Sequence, residues 1–383
     1  MFVLTEEQRM AVDGFRRYAE KELRPLADKY EKEGIAPDAA TVKSLFRKLD
    51  EFGLITGPLS VEDGGAGVEL VTQALLFEEL AWAWPDLALA VLIQTNIVAV
   101  LAASGTPTQK KKYLEPMLQS AAIGCFCISE PEVGSNVAAV QTRARRDGDE
   151  WVVNGQKLWI TNGSWSDFAI VVCRTGEAGS NEISLVIVDR AAGYTTREVQ
   201  KMGLSASVTC EMFFDDTRAS GDALLGGLGT GLKQTLQGFE RARLFVGLTS
   251  VGIARAALEE AIAYAQQRVQ HGKPIGGHQL IQGYIAEMAT EVDAARLLCL
   301  RAMSMLQRKV RCDTESSMAK WYATEMGARV TSKAVQIHGG CGITKEFRVE
   351  RHFRNARILT IPDGTTEIQK LIIARNLLGA RAF

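Results

Sequence analysis

Apolar positions change their spacing twice along the chain, and the two changes divide it into three parts. From residue 3 to about 120 they recur at helical intervals. Met10, Phe15 and Leu23 follow Thr5-Glu6-Glu7-Gln8, which has the form of a capping box. A helix is predicted over 38–52 with Gly53 as its stop, and another over 70–84, broken at Pro85. Asp86 is predicted to cap the next helix, and Thr106-Pro107-Thr108 opens a short one through Lys112. From Gly124 to about Leu225 short β-branched and aromatic runs replace that pattern. Residues 151–153, 168–173, 183–188 and 211–214 are predicted strands, with hairpin signals at Asp147-Gly148 and Asn154-Gly155. From about Thr230 the helical interval returns, over 231–270, 279–311, 314–338, 345–355 and 366–378. The order is therefore α, β, α, with expected domains at 1–122, 123–228 and 229–383: helices, a β sandwich or barrel, and a helical bundle.

Composition narrows the function classes. The 383 residues are 46% hydrophobic, enough for a large core, and the net charge of −1 offers no basic field for nucleic acid or an anionic membrane. The most apolar stretch, 87–103, carries Gln94, Thr95 and Asn96 in its middle, as a buried helix would. Seven scattered cysteines and an N-terminus without a signal-peptide pattern lead to an expectation of reduced thiols and a cytoplasmic location. Cys125 and Cys127 share a strand face, but no second pair stands ready to complete a metal site.

Three stretches can carry chemistry. In Ile361–Gln369, Pro362-Asp363-Gly364 places a carboxylate on a turn, and Thr366 with Gln369 has the form of a capping box. Locally, this also suits a plain helix start. In Phe126–Asn136, Ser129 and Ser135 offer hydroxyls and the turn offers backbone N–H groups, though an ordinary Ser/Pro/Gly loop has the same composition. In Asn154–Gly163 a hairpin turn runs into a strand whose Trp159, by alternation, is a core residue.

Together these stretches resemble the acyl-CoA dehydrogenase family. Ile361–Gln369 is similar to the family's I-Y-E-G-T-x-E/Q-I-Q, with Asp363 for Glu and Pro362 for the aromatic residue. Phe126–Asn136 resembles A-x-T/S-E-P-x-A/V-G-S-D/N, with Asn136 for Asp, and Asn154–Gly163 resembles N-G-x-K-x-W-I-T-N-G. Arg268–Ile275 resembles R-x-Q-F/H-G-x-P-I, Gln336–Gly342 resembles Q-I-x-G-G-x-G, and the glycines at 64, 65 and 67 resemble P-x-x-x-G-G-x-G.

The resemblance implies an α+β, multi-domain fold: an N-terminal helical domain, a middle β domain and a C-terminal four-helix bundle. It implies non-covalent FAD, an acyl-CoA substrate, a homotetramer and electron-transfer flavoprotein as partner. It makes Asp363 the base for the α-proton; where some branches carry the base on the first bundle helix, Ala242 stands here. Flavin contacts would come from Phe126, Ile128, Ser129, Gly134 and Ser135, and from Trp159, Ile160 and Thr161. Arg268 and Gln279, with Thr365 and Glu367, would complete them, while Gln336, Gly339 and Gly340 would reach FAD, Gln336 and Gly340 across to that of a neighbouring subunit. Substrate contacts would come from Ser135, Glu240, Gly364, Asp86 and Arg243, the last near the CoA nucleotide phosphate. Asp is about 1.3 Å shorter in reach than Glu, so the expected substrate is alicyclic or α-branched, such as cyclohexanecarboxyl-CoA. Two sister activities share the pattern: an acyl-carrier-protein-linked dehydrogenase, and a nitroalkane-oxidising flavoprotein that also uses Asp.

Overall fold

A computed structural model describes residues 4–176, 180 and 182–380; the outermost ends of the first and last expected domains lie outside them. The chain opens with α1 (Glu6–Tyr18), α2 (Arg24–Glu33) and α3 (Ala39–Asp50), then α4 (Leu70–Ala83) and α5 (Pro85–Ser104). Thr5 and Gln8 form the reciprocal cap that the sequence predicts. Asp86 does not cap α5: the helix starts at Pro85, whose missing N–H costs nothing at that position, and Asp86 lies inside the first turn. α6 (Pro107–Gln109) and α7 (Glu115–Leu118), joined by a π-helical turn, close this part.

Eight strands follow: β1 (Gly124–Cys127), β2 (Arg143–Asp147), β3 (Glu150–Thr161), β4 (Phe168–Arg174), β5 (Ile183–Asp189), β6 (Thr195–Glu198), β7 (Thr209–Ala219) and β8 (Leu224–Leu225). They form one sheet ordered β6-β7-β3-β2-β4-β5-β8, with β1 parallel to β4 as a branch. β4 and β5 are buried along nearly their whole length, which is why they are continuous apolar runs.

The last part is a bundle of α8 (Gly231–Gln267), α9 (Gln279–Gln307), α10 (Asp313–His338) and α12 (Thr366–Leu378), with α11 (Val349–Ile358) lying across it. α11 begins four residues later than the apolar pattern suggests. The 20-residue α5 is long and apolar enough to cross a bilayer, yet it packs on β1 and α8 as a core helix does. α4 and α8 touch backbone to backbone: a Cβ on Gly252 would lie 2.7 Å from Glu78 O and Trp82 N. Beside that contact the fully buried Glu78 accepts from Arg255 and Arg296, tying α4 to α8 and α9.

Candidate active site

Asp363 lies on the turn between α11 and α12 with φ +53°, in the left-handed region that non-glycine residues seldom occupy. Gly364 follows with φ +91°, so two successive left-handed residues reverse the chain. The helix spans 366–378 as predicted, but its cap lies one residue earlier than the capping-box pattern places it. Thr365, not Thr366, is the N-cap, accepting from Ile368 N–H at 3.4 Å. Thr366 instead donates to Glu325 Oε1 at 2.6 Å, and Gln369 Nε2 turns back to donate to Asp363 O and Gly364 O. Glu367 is exposed in the first turn of the helix.

The surroundings of Asp363 suit a base. Burial raises its pKa, opposed by the positive charges of Lys320 and Arg243. Among the described residues, no hydrogen bond uses its N–H or its carboxylate, so both are open to a ligand. Lys320, buried on α10, donates to Thr360 O and Gly364 O, the carbonyls on either side of the turn. Sequence reading missed Lys320. The available signal was a lysine on the face of α10 that also carries Ser316, Ala319 and Ala323.

Arg243 lies on α8. It is 7% exposed, its Nε has no partner among the described residues, and the acids that act on it are Asp363, Glu240 and Asp313. It therefore stands near Asp363, buried and with an unused donor. Glu240, half-buried, shares this corner with Asp313. Asp86 is elsewhere: its carboxylate accepts from Ala206 N–H at 2.8 Å, with Glu31, Arg351 and Lys201 as its charged neighbours.

A second face forms where β1 leads into the Ser129–Ser135 loop. Glu130 holds that loop, accepting from Gln141 N, Thr142 N and the Nζ of the buried Lys157. Lys157 also donates to Ile128 O, and Leu158 N donates to Ser129 O, which fastens the loop to β3. Between Lys157 and Ile160 the β3–β7 register shifts by one residue. This bulge breaks the alternation. Lys157 and Trp159 should share a face, but Lys157 points inward while Trp159, at φ +64°, is 58% exposed. Trp159 is therefore not a core residue. Ile160 returns to the core at 2% exposure, so it can offer a ligand only its backbone. Phe126, Ile128, Ser129 and Thr161 are half-buried, and Gly134 and Ser135 exposed, along the same edge.

A third group gathers at the far end of the bundle. Arg268 and Gln279, both exposed, flank the hairpin of β9 (Val269–Gln270) and β10 (Lys273–Pro274). His338 donates through Nδ1 to Ala334 O and stacks on Tyr264, one turn before Arg268, which brings the Gln336–Gly340 end of α10 to the same place. A Cβ on Gly339 or Gly340 would meet nothing within 4 Å, so those glycines leave open space. The residues present fit FAD: an exposed indole for a flat ring system, hydroxyls beside it, and a guanidinium with open glycines for a pyrophosphate.

Models of three acyl-CoA dehydrogenase domains match the chain: N-terminal over 5–121, middle over 125–217 and C-terminal over 229–378. The chain belongs to the acyl-CoA dehydrogenase family, and its cofactor is FAD. It is 38% identical to "Probable acyl-CoA dehydrogenase YngJ" of Bacillus subtilis, over 98% of this chain and 99% of the relative. It is 37% identical to the bovine (Bos taurus) mitochondrial short-chain specific acyl-CoA dehydrogenase, over 98% and 91%. It is 36% identical to the cyclohex-1-ene-1-carbonyl-CoA dehydrogenase of Geobacter metallireducens, over 98% and 99%. Butyryl-CoA dehydrogenase from Megasphaera elsdenii superposes with a TM-score of 0.93 at 31% identity, covering 99% of this chain and 100% of that one. A glutaryl-CoA dehydrogenase from Mycobacterium smegmatis, solved with FADH2, gives 0.92 at 30% identity, covering 99% and 96%. The prolyl acyl carrier protein oxidase AnaB gives 0.92 at 26%, covering 98% and 100%.

Proposed function

We propose that this acyl-CoA dehydrogenase oxidises an alicyclic or α-branched acyl-CoA to its 2-enoyl-CoA, with Asp363 as the base. The observation that carries this reading is the Asp363 turn, whose carboxylate and N–H, on one residue, both lack a hydrogen-bond partner among the described residues. The carboxylate takes the α-proton. The N–H donates to the thioester oxygen as negative charge develops there. Lys320 and Arg243 add positive potential on the same side. Bound FAD supplies the two-electron acceptor for the β-hydrogen. Trp159, Ser129 and Thr161 would hold its ring system, and Arg268, Gln279, Gln336, Gly339 and Gly340 its pyrophosphate, in part across a subunit boundary of a homotetramer. An electron-transfer flavoprotein would accept the electrons, in the cytoplasm.

The substrate class follows from reach. A base must come within about 2.6–3.2 Å of its proton, and Asp363 is one methylene short of the family's Glu. A ring or branch at the α-carbon brings that proton closer, and Pro362 leaves out the aromatic side chain beside it. Steady-state assays should show kcat/KM for cyclohexanecarboxyl-CoA about tenfold or more above that for butyryl- and octanoyl-CoA. A preference for the straight chains would overturn the substrate assignment. The resemblance to AnaB, a carrier-protein oxidase, favours one second reading. Turnover of an acyl group on a carrier protein, but not on CoA, would select it.

A further inference from the structure

Lys320 has no accessible surface, and a lysine so placed loses its hydration. Its ammonium is satisfied by backbone: Nζ donates to Thr360 O at 3.0 Å and to Gly364 O at 2.9 Å. Those carbonyls bracket residues 361–363. Gly364 O also accepts from Gln369 Nε2 at 2.8 Å, so α10 and α12 close on one atom of the turn. Asp363, at φ +53°, is thereby held in a left-handed conformation that Asp tolerates and most other side chains do not. The groups facing the ammonium are Asp363, Arg243, Glu325 and Glu367. Burial brings Lys320 down to about 8, with Asp363 pulling the other way, so it stays charged at neutral pH.

We propose that Lys320 is a positioning residue for Asp363: its two carbonyl bonds fix the turn that presents the carboxylate, and its buried ammonium is the cation built into that turn. This rests on the reading of Asp363 as the base. Neutralising Lys320 leaves burial to raise Asp363 with only Arg243 in opposition. The carboxyl then stays protonated to higher pH.

The test is anaerobic stopped-flow reduction of the bound flavin by a saturating acyl-CoA that reduces the wild type. It is run across pH for wild type, Lys320→Met, Lys320→Arg and Asp363→Asn. Lys320→Met should keep its FAD, lose about 30-fold or more in rate at neutral pH, and move its acidic limb up by about one pH unit. Lys320→Arg should keep the wild-type limb and recover part of the rate. Wild-type rate and limb in Lys320→Met would overturn the proposal. So would a slower rate with an unmoved limb, the result expected from lost packing alone. Should Lys320→Met fail to fold, Lys320→Arg decides: a wild-type limb supports the proposal and an upward shift overturns it. Reduction of flavin in Asp363→Asn would remove the base assignment itself. An inert Asp363→Asn beside a wild-type-like Lys320→Met would remove only the role of Lys320.

Discussion

Burial raises the carboxyls of both Asp86 and Asp363, and their neighbours differ. Among the described residues, Asp363 has no hydrogen bond on its carboxylate and two cations near it. Asp86 is spent on Ala206 N–H, and burial together with Glu31 raises it to about 6 against the pull of Arg351 and Lys201. Its folded pKa exceeds the unfolded value, so the fold favours the protonated acid. That contribution is complete below about pH 4 and is lost as pH rises through about 6. Keeping Asp86 ionised at pH 8 costs the fold about 3 kcal/mol, at 1.36 kcal/mol per pKa unit. Asp86→Asn keeps an oxygen for Ala206 and should melt several degrees above wild type at pH 8, with the gap closing near pH 4. A lower melting temperature at pH 8 would show that the Arg351 and Lys201 attractions outweigh burial. Residue identity made both acids visible in the sequence. Only the tertiary neighbours separate them, because Lys320 and Arg243 arrive from helices 43 and 120 residues before Asp363.

At the scale of elements, the loop after β1 and the bulge in β3 form one device. Lys157 and Glu130 are both buried and pin the Ser129–Ser135 loop against the strand that turns Trp159 outward. Lys157→Met would leave buried Glu130 without its counter-charge, with only the N–H groups of Gln141 and Thr142 on it, costing about 3 kcal/mol. FAD content after purification should fall with it. Pairing that change with Glu130→Gln should restore much of the stability, as thermal melts of the single and double variants would show; equal melting temperatures would mean the pair does not hold the loop. The elements themselves were largely legible, since helical and alternating spacing separate cleanly at about 122 and 229. The bulge was not. It depends on how β3 pairs with β7, some 50 residues on, and strict alternation makes Trp159 a core residue. The one-residue slip of the cap to Thr365 has a local cause: two left-handed residues turn the chain before the helix begins.

Across the whole molecule, the three parts share one continuous core, and α8 runs through it in contact with α4, α5, α10 and the sheet. The order α, β, α and the family motifs were legible along the whole chain, and the three domain models match over the same span. The convergence of α8, α10 and the α11–α12 turn on one carboxylate is a tertiary fact, which no motif of a few residues encodes. Burial of that carboxylate also sets the pH dependence. Burial raises Asp363, so with Asp363 as the base flavin reduction should fall away on the acidic side at a higher pH than an exposed aspartate would allow. The most direct measurement is anaerobic titration of the purified flavoprotein with acyl-CoAs, wild type beside Asp363→Asn, following bleaching of the flavin. Bleaching by an alicyclic or α-branched thioester in the wild type, with binding but no bleaching in Asp363→Asn, is the predicted result. Bleaching that survives in Asp363→Asn would contradict the assignment of Asp363 as the base.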